Sequence, residues 1–181
     1  MVFGDSISAG YGLKLDEGWV HLLQNRISAA GLRYNVINAS VTGETTGGGK
    51  RRLQKTLKKH DPQIVIIELG GNDGLRGLNL NSMYENLKTM VDFCLKNDRK
   101  VILAGIQLPP NYGSAYTQQF TETFRKVALE KSVLLVPQMF NGFATKLNYF
   151  QADQIHPNKN AQIIMLDNIW SSLSPLLQGK I

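Results

Sequence analysis

Cysteine is nearly absent from this 181-residue chain. Cys94 stands alone, which excludes an intramolecular disulfide and any cysteine-built zinc cluster. Long hydrophobic runs are missing too: no stretch reaches the roughly 18 consecutive apolar residues of a membrane-spanning helix. There are only three histidines, and none sits in a His-Glu-x-x-His pair or a dense ligand cluster, so no metal is expected. Nucleotide fingerprints fail on spacing. Around Gly47-Gly48-Gly49-Lys50, Glu44 stands where a P-loop needs its first glycine and Arg51 where it needs a hydroxyl. Leu15 replaces the third glycine of a dinucleotide pattern begun by Gly10 and Gly12. The Gly-x-Ser-x-Gly elbow is also absent. Repeats and low-complexity segments do not occur, and 43% apolar content suffices for one core, so residues 1–181 are expected to form a single domain.

The net charge of +6 is concentrated in Lys50, Arg51, Arg52, Lys55, Lys58 and Lys59. Leu53 and Leu57 lie one helical turn apart on the other side, which makes the cluster the solvated face of an amphipathic helix. A surface for anionic lipid is the non-enzymatic alternative for that face. Aromatic residues do not interleave with it, so nucleic acid is not an expected partner. Cys94 falls among Met83, Leu87, Met90 and Val91 at helical spacing and reads as a buried thiol.

What is present alternates. Apolar, β-branched runs at residues 1–3, 34–38, 63–69, 100–106 and 132–136 predict strands. Helical patterns at 17–30, 46–59, 82–97, 116–131 and 158–173 separate them. The third and fourth runs are almost continuously apolar, as parallel strands covered on both faces are. The expectation is a three-layer α/β/α, flavodoxin-like fold with a five-stranded parallel sheet. The first strand is short, which suits a chain that starts inside a longer precursor, although no signal peptide is visible.

Such sheets bind ligands beyond the carboxyl ends of their strands. Ser6 follows the first strand, Gly43 the second, Gly70-Gly71-Asn72-Asp73 the third, Gln107–Gly113 the fourth and Asp153-Gln154-Ile155-His156 the fifth. Acyl transfer by a serine needs a base, a group that orients the base and donors for the oxyanion. Ser6 is the candidate nucleophile and His156 the base. Asp153, three residues before it, is placed to orient the imidazole. The N–H groups of Ser6 and Gly43 and the amide of Asn72 are candidate oxyanion donors. Asp5 and Asp73 are assigned hydrogen bonds within their own loops, and Ser8 is read as a loop or helix-start serine.

With Gly4-Asp5-Ser6, Gly43, Gly70-Gly71-Asn72-Asp73 and Asp153-Gln154-Ile155-His156-Pro157 in this order, the chain resembles the SGNH, or GDSL, hydrolase family. Residues 38–46, 68–77 and 108–113 resemble its bacterial multifunctional thioesterase/lysophospholipase/arylesterase branch. Two departures stand out: Ile7 replaces the leucine of GDSL, and Gln154 occupies a position that is often glycine. The resemblance implies a serine esterase without cofactor that acts on small-molecule acyl esters and thioesters: aryl esters, lysophospholipids and acyl-CoA. It also covers carbohydrate-ester deacetylases, the second enzymatic reading. Periplasmic or secreted location is implied, and a monomer is expected. Leu75, Leu108, Pro109 and Tyr112 flank the rim, either as walls of an acyl groove or as loop packing.

Overall fold

The computed structural model describes residues 1–179. Four parallel strands form the sheet in the order β1 (Val2–Gly4), β2 (Ile64–Glu68), β3 (Lys100–Ala104) and β4 (Leu134–Val136). The register aligns Val2 with Ile66, Ile66 with Ile102, and Ile102 with Leu134. The helices are α1 (Ser6–Ala9), α2 (Trp19–Ala29), α3 (Thr46–His60), α4 (Gly71–Leu75), α5 (Leu80–Leu95), α6 (Ser114–Lys131) and α7 (Lys159–Leu177). α2 packs on α7, while α5 packs between α3 and α6. The sheet therefore lies between two helical layers, and its strands are buried on both faces. That explains their continuous apolar runs.

Among the described residues the sheet has four strands where the sequence predicts five. Residues 34–38 run extended beside β1 and form one parallel bridge, Asn38 to Val2. Val2 N–H donates to Ile37 O, and Ala39 and Val41 N–H donate to the Val2 and Gly4 carbonyls. Farther upstream the side chain of Gln24 takes the place of a neighbouring strand. Its Oε1 accepts from Val36 N–H and its Nε2 donates to Tyr34 O. A side chain on α2 thus satisfies backbone groups that would otherwise need a ladder. The segment still sits at the sheet's edge, so the flavodoxin-like order is preserved.

Helix positions follow the predicted periodicity, with three differences. Residues 6–9 and 71–75, expected as turn and loop, close two short helices. α7 runs past 173 to Leu177 and includes Pro175, whose missing N–H costs the helix only the bond to the Ser171 carbonyl, close to its end. Trp19, Phe3, Phe120, Phe124 and Phe143 are among the largest fully buried side chains. Leu53 and Leu57 bury one face of α3, while Lys50, Arg51, Lys55, Lys58 and Lys59 are exposed. Cys94 is buried, and burial pushes its thiol up to about 12. No helix among the described residues is long and apolar enough to cross a membrane.

Candidate active site

β1 ends at Gly4 and the chain turns at once into α1. Asp5 caps that helix: its Oδ1 accepts from the Ile7 N–H at 2.9 Å. Ser6 opens the helix at the carboxyl end of the sheet. Ser8 is turned the other way, into the protein, where its Oγ donates to Glu68 Oε2 at 2.7 Å. It belongs to the packing beneath the turn.

His156 lies in the segment between the fourth strand and α7. The Phe150–Pro157 bridge and a bond from Gln151 N–H to His156 O at 2.8 Å close its loop. Inside the loop, Gln154 takes a φ of 58°, the left-handed conformation that suits a glycine there. Asp153 Oδ1 accepts from the Ile155 and His156 N–H groups at 2.9 and 3.0 Å. Its Oδ2 accepts from His156 Nδ1 at 2.7 Å. With Nδ1 donating, Nε2 presents its lone pair to Ser6 Oγ, 2.9 Å away. The three residues that the sequence singles out therefore stand in one line of hydrogen bonds. Burial works against the Asp153 charge, but the N–H groups of His156 and Ile155 and the imidazole outweigh it and hold the carboxyl below its usual range.

Besides the Ser6 N–H, the candidate oxyanion donors lie on other segments, and Asn72 is tied to the nucleophile turn through Asp5. Gly43 has a φ of 77°, which a residue with a Cβ adopts only under strain. Its carbonyl accepts from Arg76 Nη2 at 3.1 Å. Asn72 stands on the first turn of α4, with one amide proton given to Asp5 Oδ2 at 3.1 Å and the other to Glu44 O at 3.0 Å. Asp5 and Asp73 thus reach beyond their own loops, contrary to the sequence expectation. Asp5 holds Asn72. Asp73 accepts from Thr46 N–H and Oγ at 2.8 and 2.5 Å and ties α4 to the start of α3. Burial pushes Asp5 up to about 6, against the N–H of Ile7 and the amide of Asn72. Glu68, buried below the turn, is pushed well above the usual range by burial first and by Asp5 second.

The loop flanks behave differently from one another. Leu108 is buried, and its methyl groups fill the space where a Cβ on Gly74 would lie. It packs the loop and does not wall an open groove. Leu75 and Tyr112 remain half-exposed, and the Tyr112 hydroxyl donates to Leu75 O at 3.0 Å. Pro109 is half-exposed as well.

Residues overlooked in the sequence hold the site in shape. Arg52, grouped there with the solvated basic face, turns inward. Its Nε pairs with Glu44 Oε2 at 2.6 Å, Nη1 donates to Ala39 O at 2.6 Å and Nη2 to Gly4 O at 3.3 Å. Its guanidinium also lies 3.8 Å from the centroid of the Phe3 ring. The Tyr11 ring lies against His156. The Arg52 bond to Gly4 and the Tyr11–His156 contact leave no local signal, because each joins segments far apart in the chain. Among the described residues no three His, Cys, Asp or Glu side chains converge as a metal site.

A parallel sheet between two helical layers, with serine, glycine, asparagine and histidine gathered on its carboxyl rim, is the architecture of the SGNH hydrolases. AlinE4, described as an SGNH-hydrolase family esterase, has this fold with a TM-score of 0.80 at 30% identity, over 99% of this chain and 94% of its own. The chain belongs to the GDSL-like lipase/acylhydrolase family, which it matches over residues 2–162. Esterase TesA of Pseudomonas aeruginosa is 45% identical over 98% of this chain and 88% of its own length. Thioesterase 1/protease 1/lysophospholipase L1 of Escherichia coli K12 is 36% identical over 98% of this chain and 84% of its own.

Proposed function

We propose that this protein hydrolyses carboxylic esters and thioesters through an acyl-Ser6 intermediate. The observation that carries the reading is the line from Asp153 Oδ2 to His156 Nδ1 at 2.7 Å and from Nε2 to Ser6 Oγ at 2.9 Å. As Oγ attacks the acyl carbon, Nε2 takes the hydroxyl proton and the carbonyl electron pair moves onto oxygen. The N–H groups of Ser6 and Gly43 receive that oxyanion. Asn72 joins them by sharing the proton it otherwise gives to the Glu44 carbonyl. When the tetrahedral intermediate collapses, the imidazolium protonates the departing alcohol or thiol, and the C–O or C–S bond breaks. Water then attacks the acyl-enzyme with the same base, which releases a carboxylic acid and restores Ser6. Asp153 keeps the proton on Nδ1 throughout and offsets the imidazolium charge.

The relatives named esterase TesA and thioesterase 1/lysophospholipase L1 support small acyl esters and thioesters as the substrate class, lysophospholipids and acyl-CoA among them. A third relative, from Vibrio mimicus, is named arylesterase and supports aryl esters. Leu75, Pro109 and Tyr112 are the proposed flank of the acyl site. The reading includes action as a monomeric single domain, residues 1–181, in the periplasm or as a secreted protein. The test is mass spectrometry after treatment with a fluorophosphonate. One adduct on Ser6, lost in Ser6→Ala together with hydrolysis of p-nitrophenyl butyrate, is the expected result. Absence of any adduct on folded wild-type protein would overturn the reading.

A further inference from the structure

One half-exposed aromatic ring on the rim has no part in the steps above. Tyr11 follows α1, and its centroid lies 4.6 Å from that of the His156 imidazole with a 40° tilt between the planes. The separation is within the range of interacting aromatic rings, with the two planes tilted and not parallel. The Tyr11 backbone is pinned at both ends. Its N–H donates to the carbonyl of Ser6 at 3.1 Å. Its carbonyl accepts from Gln151 Nε2 at 2.8 Å. The same Gln151 Nε2 lies 3.2 Å from Pro157 O, and Gln151 N–H donates to His156 O at 2.8 Å. Gly12 makes the arrangement possible: its φ is 74°, and a Cβ there would lie 2.1 Å from Gln151 Oε1. Gln151 therefore clasps the nucleophile loop to the histidine loop, and the clasp sets the Tyr11 ring on the imidazole.

We propose that Tyr11 is a positioning residue for His156, its ring holding the imidazole in line with Ser6 and favouring the imidazolium that acyl transfer creates. Two effects follow from the geometry. The ring blocks one face of the imidazole, so rotation about the side-chain bonds that would break the 2.9 Å contact with Ser6 Oγ is restricted. Its π face also carries partial negative charge, which attracts a cation as His156 takes the Ser6 proton. Asp153 faces the imidazole from its own loop and Asp5 from the nucleophile turn, while Tyr11 supplies the aromatic side. Neither effect needs the phenol hydroxyl. Both act after the substrate is bound, so they belong to kcat and not to KM.

The inference rests on the hydrolase reading above. Wild type, Tyr11→Phe and Tyr11→Leu are compared by steady-state hydrolysis of p-nitrophenyl butyrate, with active sites counted by fluorophosphonate titration so that unfolded protein does not enter the rates. Tyr11→Leu is expected to lose about three- to ten-fold in kcat with KM unchanged within about two-fold. Its rate of phosphonylation falls in parallel, and Tyr11→Phe restores both. A rise in KM at constant kcat would assign Tyr11 to the substrate pocket and overturn the proposal. So would Tyr11→Leu rates equal to wild type, or Tyr11→Phe as impaired as Tyr11→Leu. Wild type that neither turns over nor takes up the label would sink the hydrolase reading itself, and the Tyr11 role with it.

Discussion

Replacing Asp153 by asparagine separates orientation from mere presence. Asp153 Oδ1 accepts two backbone N–H groups and Oδ2 accepts the imidazole proton. In Asp153→Asn the amide oxygen keeps the two backbone bonds, so the loop retains its shape. The amide NH₂ then faces Nδ1, where only an acceptor fits. The favoured tautomer moves the proton to Nε2, which aims an N–H at Ser6 Oγ in place of a lone pair. General-base catalysis is lost while every heavy atom stays near its place. In a serine triad such a switch costs about 10⁴ in rate, or about 5.4 kcal/mol of barrier. The Asp153 side chain is 37% exposed, so water can solvate the wrong tautomer's neighbours and let the right one form part of the time. The expected loss is therefore below that figure, on the order of 10³ in kcat. Because both backbone bonds survive at an exposed site, the unfolding free energy should change by less than about 1 kcal/mol. The assay pairs p-nitrophenyl butyrate turnover with urea unfolding of the same preparation. Turnover within about ten-fold of wild type in a fully folded variant would refute the orienting role.

Two further substitutions probe the ground beneath the site. Burial raises the Asp5 carboxyl to about 6 and pushes Glu68 well above the usual carboxylate range. A carboxyl whose folded pKa exceeds its unfolded value binds more protons when folded. Its contribution to stability is fully present below the unfolded pKa of about 4 and is lost as pH rises through the folded one. Glu68→Gln removes the Glu68 share, so its stability relative to wild type should increase between about pH 5 and pH 8. Urea midpoints at both values measure this, and a pH-independent difference would contradict it. At Gln154, φ 58°, glycine relieves about 1 kcal/mol of left-handed strain but costs about 0.5–1 kcal/mol in chain entropy. Gln154→Gly should therefore leave the urea midpoint nearly unchanged, and a loss above about 1.5 kcal/mol would mean that the glutamine side chain itself braces the loop.

The alternation of elements was readable because strands covered on both faces must be apolar throughout, and 64–68 and 100–104 are. Residues 34–38 carry the composition of a strand but pair with β1 at a single bridge, since Gln24 intervenes from α2. Nothing local announces that a glutamine will occupy a ladder position. Arg52 was misplaced for a related reason. Helical periodicity puts it on the border of the basic face, and only the carbonyls of Gly4 and Ala39 and the carboxylate of Glu44 draw it inward.

By itself the sequence determined the chemistry available at the rim. Strand ends are legible in the hydrophobic pattern, and a parallel sheet brings its carboxyl ends to one side, which sets Ser6 and Asn72 just past β1 and β2; Asp153 and His156 come to Ser6 only through the loop that follows β4 at a distance in the chain. The spacing of Asp153 and His156 even fixed their mutual bond, which is closed within one turn. Tertiary structure alone decided how that edge is braced. Asp5 takes one proton of the Asn72 amide and Glu44 the other, Asp73 reaches from α4 to the first residue of α3, and Gln151 sets Tyr11 against His156. These contacts join residues distant in the chain through single side-chain atoms. Their partners are selected by the packing of the layers, which no local pattern encodes.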